Sequence, residues 1–155
     1  VARGWQCALT VPRELSMRDG KLCQQPAHEI ERMRGDCVRA VGGETVEEPG
    51  RLFDVVVSCE DAKMVELEIR KGVFVRYADG TLTLDMGDEG YGRDRRSIEL
   101  SELRDLRVLS DTTMVEIFVN GGEAALTSRT YSPAVPAMEL RAEGAASMDF
   151  YRLAR

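Results

Sequence analysis

The sequence predicts an all-β protein, a two-sheet antiparallel β-sandwich of jelly-roll-like type that is preceded by a short hairpin and a linker helix. From Thr45 onward, short runs of alternating apolar and polar residues are separated by turn residues at the spacing typical of a sandwich. Two of these separators, Asp79-Gly80 and Asn120-Gly121-Gly122, supply the positive φ angles that tight hairpins need. Helix signals are confined to the stretch before residue 37.

The first 36 residues differ in character from the rest. Residues 5–11 and 15–22 are β-prone and predict a hairpin that turns at Asp19-Gly20. A short helix is predicted over residues 26–34, because Pro26 suits the first helical position, acidic residues lie early and basic residues lie late. The predicted organisation is a remnant hairpin over 1–25, a linker helix over 26–36 and a sandwich over 37–155.

The sandwich is predicted to contain about nine strands, not counting the N-terminal hairpin. Apolar residues at every second position predict half-buried strands at 53–57 and 65–69. A meander follows, in which residues 73–78 and 82–86 are joined at Asp79-Gly80. Residues 87–96 have no apolar period and predict a loop. The remaining strands are predicted at 106–109, 114–119, 124–129, 138–142 and 148–153.

The hairpin over residues 114–129 has a predicted register. A two-residue turn on Gly121-Gly122 places Val119 opposite Ala124, Ile117 opposite Leu126 and Glu116 opposite Thr127. One face is then apolar and is predicted to enter the core. The residues of this core face are Val115, Ile117, Val119, Ala124 and Leu126.

The opposite face of the same hairpin mixes apolar and charged side chains. It carries Met114, Glu116, Phe118, Thr127 and Arg129, with Glu116 and Arg129 placed for a diagonal ion pair. Because a solvent-exposed surface has little use for both Met114 and Phe118, we predict that this face contacts another element or a second copy of the chain. The alternative is a face that is simply half exposed.

Composition and charge argue against several classes of function. The chain has 155 residues, which suits one domain with a buried core and a small appendage. Its net charge of −6 and pI of ≈ 5.0 argue against binding to nucleic acid or to an anionic membrane surface. No apolar run is long enough to span a membrane. The chain begins at Val1, so a leader upstream stays an open alternative and the compartment is weakly constrained, with the cytoplasm favoured slightly over secretion.

The cysteines and the single histidine do not predict a metal site. Cys7, Cys23, Cys37 and Cys59 are widely spaced and include no Cys-x-x-Cys pair, whereas zinc sites need closer ligands. Buried free thiols are the favoured interpretation, and a Cys7–Cys23 disulfide remains an alternative if their strands are neighbours. His28 is expected to be a surface side chain without a catalytic or metal-binding partner. We therefore assign no metal and no cofactor.

Two segments of the chain carry a family resemblance. The first contains Gly4-Trp5, Leu9-Thr10-Val11-Pro12-Arg13-Glu14-Leu15, Leu22, Pro26, Glu29 and Arg34. The second contains Asp111, Val115-Glu116-Ile117-Phe118-Val119-Asn120, Gly122, Glu123 and Thr127-Ser128-Arg129-Thr130-Tyr131. They resemble, in this order, the last propeller strands with the helical linker, and the late sandwich strands, of glycoside hydrolase family 32. This family comprises the β-fructofuranosidases, which act on sucrose, sucrose 6-phosphate, inulin and levan.

The resemblance implies a non-catalytic fragment of a retaining glycosidase. That mechanism needs an Asp nucleophile and a Glu acid/base about 5 to 5.5 Å apart. In the family they lie in a Trp-Met-Asn-Asp-Pro-Asn-Gly motif and a Glu-Cys pair, and an Arg-Asp-Pro triplet binds the substrate. The sequence contains none of these motifs, since Arg93-Asp94 is followed by Arg95 and Cys59-Glu60 has the reverse order. We expect the catalytic carboxylates upstream of Val1 and assign no catalytic residue to this chain.

The resemblance also implies a partner, the catalytic five-bladed propeller of the same parent chain. The sandwich is expected to brace that propeller, with self-association into a homo-oligomer as a second role. We expect the interface at Met114, Glu116, Phe118 and Arg129, together with Trp5, which resembles a propeller packing residue.

Two other functions are compatible with the sequence. The first is an independent carbohydrate-binding, lectin-like module, for which Tyr91 and Tyr131 are the candidate sugar platforms. The second is a hydrolase whose acidic pair lies in one loop. The candidate acids of that loop are Asp85, Asp88, Glu89 and Asp94, a cluster that more often forms a solvated turn than an active site.

Overall fold

The computed structural model describes residues 8–90, 92 and 95–154, and this part of the chain is almost entirely antiparallel β-structure. It contains thirteen strands and two short 3₁₀ helices, which confirms the predicted all-β class. The strands are β1 Arg13–Arg18, β2 Lys21–Pro26, β3 Arg34–Val41, β4 Thr45–Glu47, β5 Phe53–Arg70, β6 Val73–Ala78, β7 Thr81–Asp85, β8 Arg95–Glu99, β9 Asp105–Ser110, β10 Met114–Val119, β11 Ala124–Arg129, β12 Ala137–Glu139 and β13 Arg141–Leu153. The 3₁₀ helices are His28–Met33 and Gly87–Gly90, and neither has the length or hydropathy of a membrane span.

Two long strands, β5 and β13, belong to both layers of the sandwich. β13 pairs with β5 along most of its length, from Arg141 opposite Glu66 to Arg152 opposite Phe53. The first part of β5 has β9 as its other neighbour, whereas the second part has β6. One layer therefore has the order β11-β10-β9-β5-β13-β3, and the other has the order β8-β7-β6-β5-β13. Strands β4 and β12 form a separate two-stranded ribbon.

The passage from one layer to the other occurs where Asp61 of β5 lies next to Gly144 of β13. Asp61 has a φ of 54°, and the register of the β5–β13 pair shifts between Glu143 and Ala145. A Cβ atom at Gly144 would lie 2.6 Å from the Asp61 carbonyl oxygen, so the close approach requires glycine. The strands predicted at 53–57 and 65–69 are consequently one strand of 18 residues with an irregularity inside it.

The hydrophobic core lies between the two layers. Alternate residues of β5 point into it, so that Val55, Val57 and Leu67 are all fully buried. The rings of Phe53 and Phe150 pack against each other with centroids 5.6 Å apart. These positions are the ones that the period-two pattern assigned to the inner faces of the strands.

The N-terminal hairpin and the linker differ in detail from the prediction. The turn lies at Asp19-Gly20 as predicted, but β2 continues to Pro26, which pairs with Arg13 and is buried. The linker is a 3₁₀ helix over His28–Met33 instead of an α-helix that starts at Pro26. Pro26 lacks an N–H group and therefore suits the end of a strand as well as the start of a helix. Six residues are too few for a stable α-helix without strong packing, and no residue of this segment is buried.

The β10–β11 hairpin has the predicted register, with Val119 opposite Ala124 and Ile117 opposite Leu126. The turn itself begins one residue earlier than expected. Asn120 and Gly121 both have positive φ, 52° and 65°, and the Gly122 N–H donates to the Val119 carbonyl at 2.9 Å, which is a type I′ turn. Within the predicted core face, Val115, Ile117 and Val119 are buried as expected at 0% exposure, whereas Ala124 and Leu126 are half-buried and pack against the core.

Candidate interdomain surface

The outer face of β10 is buried within the chain. Met114, Glu116 and Phe118 are 6%, 3% and 2% exposed, so this face is not half exposed to solvent. The contacts of Glu116 and Phe118 come from the segment that leads into the N-terminal hairpin and from the hairpin itself. A β-sandwich strand with both faces covered indicates a third layer on this side of the protein.

A buried ion pair connects the hairpin to β10. The Arg13 guanidinium donates to Glu116 Oε2 at 2.6 Å and to Thr127 Oγ1 at 2.8 Å, and it lies 5.2 Å from the centre of the Phe118 ring. The backbone N–H of Val11 donates to the other carboxylate oxygen at 2.7 Å. We call these contacts the Arg13–Glu116 clamp. Arg13 thus takes the place that the sequence prediction gave to Arg129 as the partner of Glu116, because the hairpin brings it over this face.

The turn after β10 provides a second set of contacts with the hairpin. Arg18 donates to the carbonyl oxygens of Asn120 and Gly121 at 2.9 and 2.8 Å. The Gln24 N–H donates to the Gly122 carbonyl at 2.9 Å, which is a main-chain bond between the two hairpins. At the edge, Lys21 pairs with Glu123 at 3.3 Å and holds the pKa of that carboxyl below its usual value.

Glycine is required at one position of this contact. A Cβ atom at Gly122 would lie 2.1 Å from the Gln24 carbonyl oxygen, so any side chain would push β2 away from the turn. The Asn120-Gly121-Gly122 sequence therefore has two functions. Its first two residues form the turn, and its third admits the backbone of the N-terminal hairpin.

A buried carboxylate anchors the linker to the sandwich. Asp54 is 0% exposed and accepts hydrogen bonds from Arg34 Nε at 2.7 Å and from Arg107 Nε and Nη2 at 3.0 and 2.7 Å. Arg34 also stacks on the Tyr151 ring at 4.3 Å. Because Arg34 begins β3 directly after the 3₁₀ helix, this group fixes the linker against the first layer.

The N-terminal hairpin has exposed apolar side chains on the same face as Arg13, closer to the turn. Leu15, Met17 and Leu22 lie on one face, with Met17 opposite Leu22, and they are 64%, 69% and 53% exposed. We call these three residues the apolar hairpin face. Leu9, just upstream, is 95% exposed. Neighbouring exposed apolar side chains of this size are typical of a surface that another domain covers.

His28 is exposed as predicted, but it has two partners. Its Nδ1 lies 2.6 Å from Glu14 Oε1, its backbone N–H donates to the same oxygen at 3.1 Å, and Glu29 lies 3.5 Å from Nε2. Hydrogen bonding to Glu14 and the charge of Glu29 raise the pKa of His28. The group links β1 to the start of the 3₁₀ helix.

The other predicted site residues lie in different places. Arg129 is exposed and packs on Tyr131, with its guanidinium 5.3 Å from the ring centre, so that one face of this candidate sugar platform is occupied. Tyr91 and Trp5 lie outside the described residues, as does Cys7. Cys23, Cys37 and Cys59 are free thiols, and burial raises the pKa of Cys59 to about 11.

The acidic loop shows one residue in a structural role. Asp85 accepts hydrogen bonds from the Gly87 N–H at 3.0 Å and from Arg76 at 2.9 Å, and these contacts lower its pKa. Asp88 is exposed. The side chain of Glu89 and the whole of Asp94 lie outside the described residues.

Sequence reasoning missed Arg13, Arg18 and Asp54 as site residues. A charged residue between two core residues of an apolar strand, such as Asp54 between Phe53 and Val55, is a signal that points to a partner on the outer face of that strand. Arg13 gave no comparable signal, because its partner Glu116 is 103 residues away.

Comparison of the sequence with known proteins identifies a family and several relatives. The family model described as the C-terminal domain of glycosyl hydrolases family 32 matches residues 54–153. A raffinose invertase of Escherichia coli is 37% identical over 151 residues, which cover 86% of this chain and 31% of that protein. A sucrose-6-phosphate hydrolase of Salmonella typhimurium is 31% identical over 84% of this chain and 27% of that protein. The chain thus spans between about a quarter and a third of the length of the curated relatives it matches.

Solved structures share the fold. A glycoside hydrolase family 32 protein from Bifidobacterium adolescentis superposes with a TM-score of 0.77 at 21% identity, over 93% of this chain and 25% of that chain. A sucrose-6-phosphate hydrolase from Lactobacillus gasseri gives a TM-score of 0.75 at 18% identity, over 92% of this chain and 33% of that chain.

Proposed function

Because the chain belongs to glycosyl hydrolase family 32 and contains its C-terminal domain, we propose that it is a non-catalytic sandwich that braces the catalytic domain of a β-fructosidase. The single observation that carries the proposal is the apolar hairpin face. The hairpin is fixed to the sandwich near its base by the Arg13–Glu116 clamp, and Leu15, Met17 and Leu22 lie closer to the turn and are exposed to solvent. We infer that β1 and β2 are the last strands of the catalytic propeller, and that the propeller covers these side chains.

The whole protein is then a glycosidase that acts on sucrose or a related β-fructoside. This part of the proposal is supported by the names of the relatives, which are a raffinose invertase and sucrose-6-phosphate hydrolases. The catalytic carboxylates are assigned to the part of the parent protein that this chain does not contain. Bracing supplies no reacting group, so its effect is expected on the stability of the catalytic domain and through it on activity.

The proposal is tested by placing charge on the apolar hairpin face. In the full-length parent, Met17→Asp together with Leu22→Asp buries two carboxylates in the interdomain contact and is expected to lower Tm and the amount of active enzyme. The same two substitutions in the 155-residue chain are expected to leave Tm nearly unchanged, because the Met17 and Leu22 side chains are already exposed there. Differential scanning calorimetry of both proteins measures the contrast.

The matched control is Ser16→Asp, which lies between Leu15 and Met17 on the opposite face of β1 and is also exposed. It is expected to leave the full-length protein unchanged. An equal effect of Ser16→Asp, or no effect of the double variant in the parent, contradicts the proposal. A change from oligomer to monomer in the isolated double variant assigns the face to self-association instead, which size-exclusion chromatography with light scattering detects.

A further inference from the structure

An acidic cleft lies at the end of the sandwich where β5 passes from one layer to the other. It has a volume of about 850 Å³ and is bounded by the middle of β5, by the Asp79-Gly80 turn between β6 and β7, and by the loop between β8 and β9. We call it the end cleft. Its described lining comes entirely from the sandwich, and its volume is within the range of pockets that hold small molecules.

The end cleft carries an excess of negative charge. Four acidic and two basic side chains line it, which leaves two negative charges in excess. One of the acids, Glu102, is neutralised by Arg104, whose guanidinium lies 2.6 Å from it. The other three carboxylates have no ionic or hydrogen-bonding partner within the described part of the chain; they are Glu60, Asp61 and Asp79. These three face the single ammonium group of Lys63, so the cleft attracts cations.

A tyrosine hydroxyl reaches the end cleft from the core. Tyr77 is only 6% exposed and belongs to the hydrophobic core, yet it lines the cleft. Its hydroxyl has no hydrogen-bond partner among the described residues, and because protein does not enclose the oxygen, the small exposed part of the side chain includes it. A tyrosine hydroxyl in a largely buried side chain normally has a partner. The unpaired hydroxyl at the floor of the cleft therefore points to a ligand.

The carboxylates of the end cleft do not converge on one point. Among the described residues, the only three potential metal-binding side chains whose donor atoms all lie within 4.8 Å of one another belong to the His28 group at the hairpin–linker contact. A compact ion needs several ligand atoms around one centre, which the end cleft does not offer. A ligand whose positive charges are separated can instead engage several carboxylates, each at its own position.

The surface between the carboxylates is partly apolar. Ala62 of β5 and Leu103 of the β8–β9 loop line the end cleft together with Tyr77, and Leu103 is almost fully buried. Methylene groups that cover such a surface are removed from water, which favours binding. The cleft thus combines separated negative charges with an apolar wall, and an aliphatic chain that carries ammonium groups matches both features.

We propose that the end cleft binds an aliphatic diamine or polyamine. Its ammonium groups donate to the unpaired carboxylates and to the Tyr77 hydroxyl, while its methylene groups lie against Ala62 and Leu103. The net charge of −6 of the whole chain adds to the attraction. The site does not depend on the bracing role, because no residue of the Arg13–Glu116 clamp or of the apolar hairpin face belongs to its described lining.

The test is a titration of the isotope-labelled 155-residue chain with spermidine, butylamine or Ca²⁺ in about 0.1 M salt, followed by amide NMR shifts. Spermidine is expected to shift the Ala62, Lys63 and Gly80 amides with a Kd of about 0.1–1 mM. Butylamine has a single ammonium group and is expected to bind at least about tenfold more weakly. The absence of spermidine shifts at these amides, or equal affinity for butylamine, overturns the proposal. Tighter binding of Ca²⁺ at the same amides also overturns it and assigns the cleft to a metal ion.

Two conservative variants locate the site. Glu60→Gln and Asp79→Asn each remove one unpaired carboxylate and are expected to raise the Kd of spermidine about threefold to tenfold, which is the loss of one charged contact. Asp36→Asn is the matched control, because Asp36 is exposed on β3 outside the cleft and its replacement changes the net charge equally. Equal changes in all three variants show a general charge effect and overturn the assignment, as does no change in the first two.

Two further variants keep the test independent of misfolding. Lys63→Gln removes the competing ammonium group and is expected to lower the Kd of spermidine about threefold, a gain that a misfolded protein does not give. Tyr77→Phe removes a hydroxyl without a partner in the described chain, so it is expected to keep Tm and to raise Kd about threefold. Weaker binding by Lys63→Gln, or an unchanged Kd in Tyr77→Phe, contradicts the proposed contacts.

Discussion

The two faces of β10 are buried to a similar degree but are held by different interactions. The core face consists of Val115, Ile117 and Val119 and packs in an apolar interior. On the outer face, Glu116 forms an ion pair with Arg13 between Met114 and Phe118. Apolar packing is strong and tolerates many neighbours, whereas a buried ion pair adds little net stability but requires one partner at one position. The comparison indicates that the inner face stabilises the sandwich and the outer face selects what docks on it.

The largest effect is expected from the core face. Ile117→Ala leaves a cavity at a fully buried position and is expected to lower the free energy of unfolding by roughly 2 to 5 kcal/mol. Urea denaturation followed by fluorescence or circular dichroism measures this change. The control is Val41→Ala on β3, which is 49% exposed and should change stability by less than about 0.5 kcal/mol. Similar losses for both variants would contradict the position of β10 in the core.

The second effect is expected from the clamp. Arg13→Met leaves the Glu116 carboxylate buried without its ionic partner and is expected to cost roughly 2 to 4 kcal/mol, mainly as release of the hairpin. Hydrogen exchange should then speed up at the amides of β1 and β2 while β10 stays protected. Arg13→Met combined with Glu116→Met removes both charges and should recover much of the loss. A double variant as unstable as the single one would show that the ion pair is not the cause.

The clamp also has a matched surface pair. Arg39 and Asp149 form an ion pair in which Arg39 is 71% exposed, so Arg39→Met should cost less than about 1 kcal/mol. The difference between the two arginine variants measures how much burial contributes to the hairpin contact.

A third prediction separates backbone strain from close approach. Gly122 and Gly50 have positive φ angles of 88° and 73°, so alanine at either position should cost about 1 to 2 kcal/mol from backbone conformation. A Cβ at Gly50 meets no atom within 4 Å, whereas a Cβ at Gly122 meets the Gln24 carbonyl. Gly122→Ala should therefore destabilise more than Gly50→Ala and expose β2 to hydrogen exchange. Equal effects would indicate that the hairpin does not touch the turn.

The smallest effect is a pH dependence at the hairpin–linker contact. Since the pKa of His28 is raised in the folded protein, its contribution to stability is fully present below the unfolded value of 6.5 and is lost as pH rises through the folded pKa. Urea midpoints of the chain between pH 5.5 and 8.5 should decline more than those of His28→Gln over the same window. If the urea midpoints of the two proteins change with pH in the same way, His28 does not contribute to the pH dependence of stability.

Local patterns in the sequence predicted the parts of the fold that local chemistry determines. Asn120-Gly121 specified the hairpin, and the alternation around Ile117 specified which face of β10 enters the apolar core. The Asp61–Gly144 irregularity was not predicted, because it depends on two strands that are distant in sequence. Pro26 was assigned to a helix, since its missing N–H group is compatible with a helix start and with a strand end, and only the pairing with Arg13 decides.

The site was less predictable than the fold for the same reason. Met114 and Phe118 indicated from their sequence positions that the outer face of β10 is covered, but nothing near them in sequence identified the hairpin as the cover. The contact joins residues such as Arg13 and Glu116, which no periodicity relates. The participation of Arg129, Trp5 and the propeller in an interface stays a prediction.

The pairing of β5 with β13 also has a consequence for the order in which the chain folds during synthesis. β5 is a central strand of both layers, yet its partner β13 is the last of the described strands to leave the ribosome. Contacts of such large sequence separation form slowly and late. Until residues 141–153 are synthesised, strands β6 to β11 can therefore assemble only in part, and one side of β5 stays open. During this interval the nascent chain is most in need of protection by chaperones.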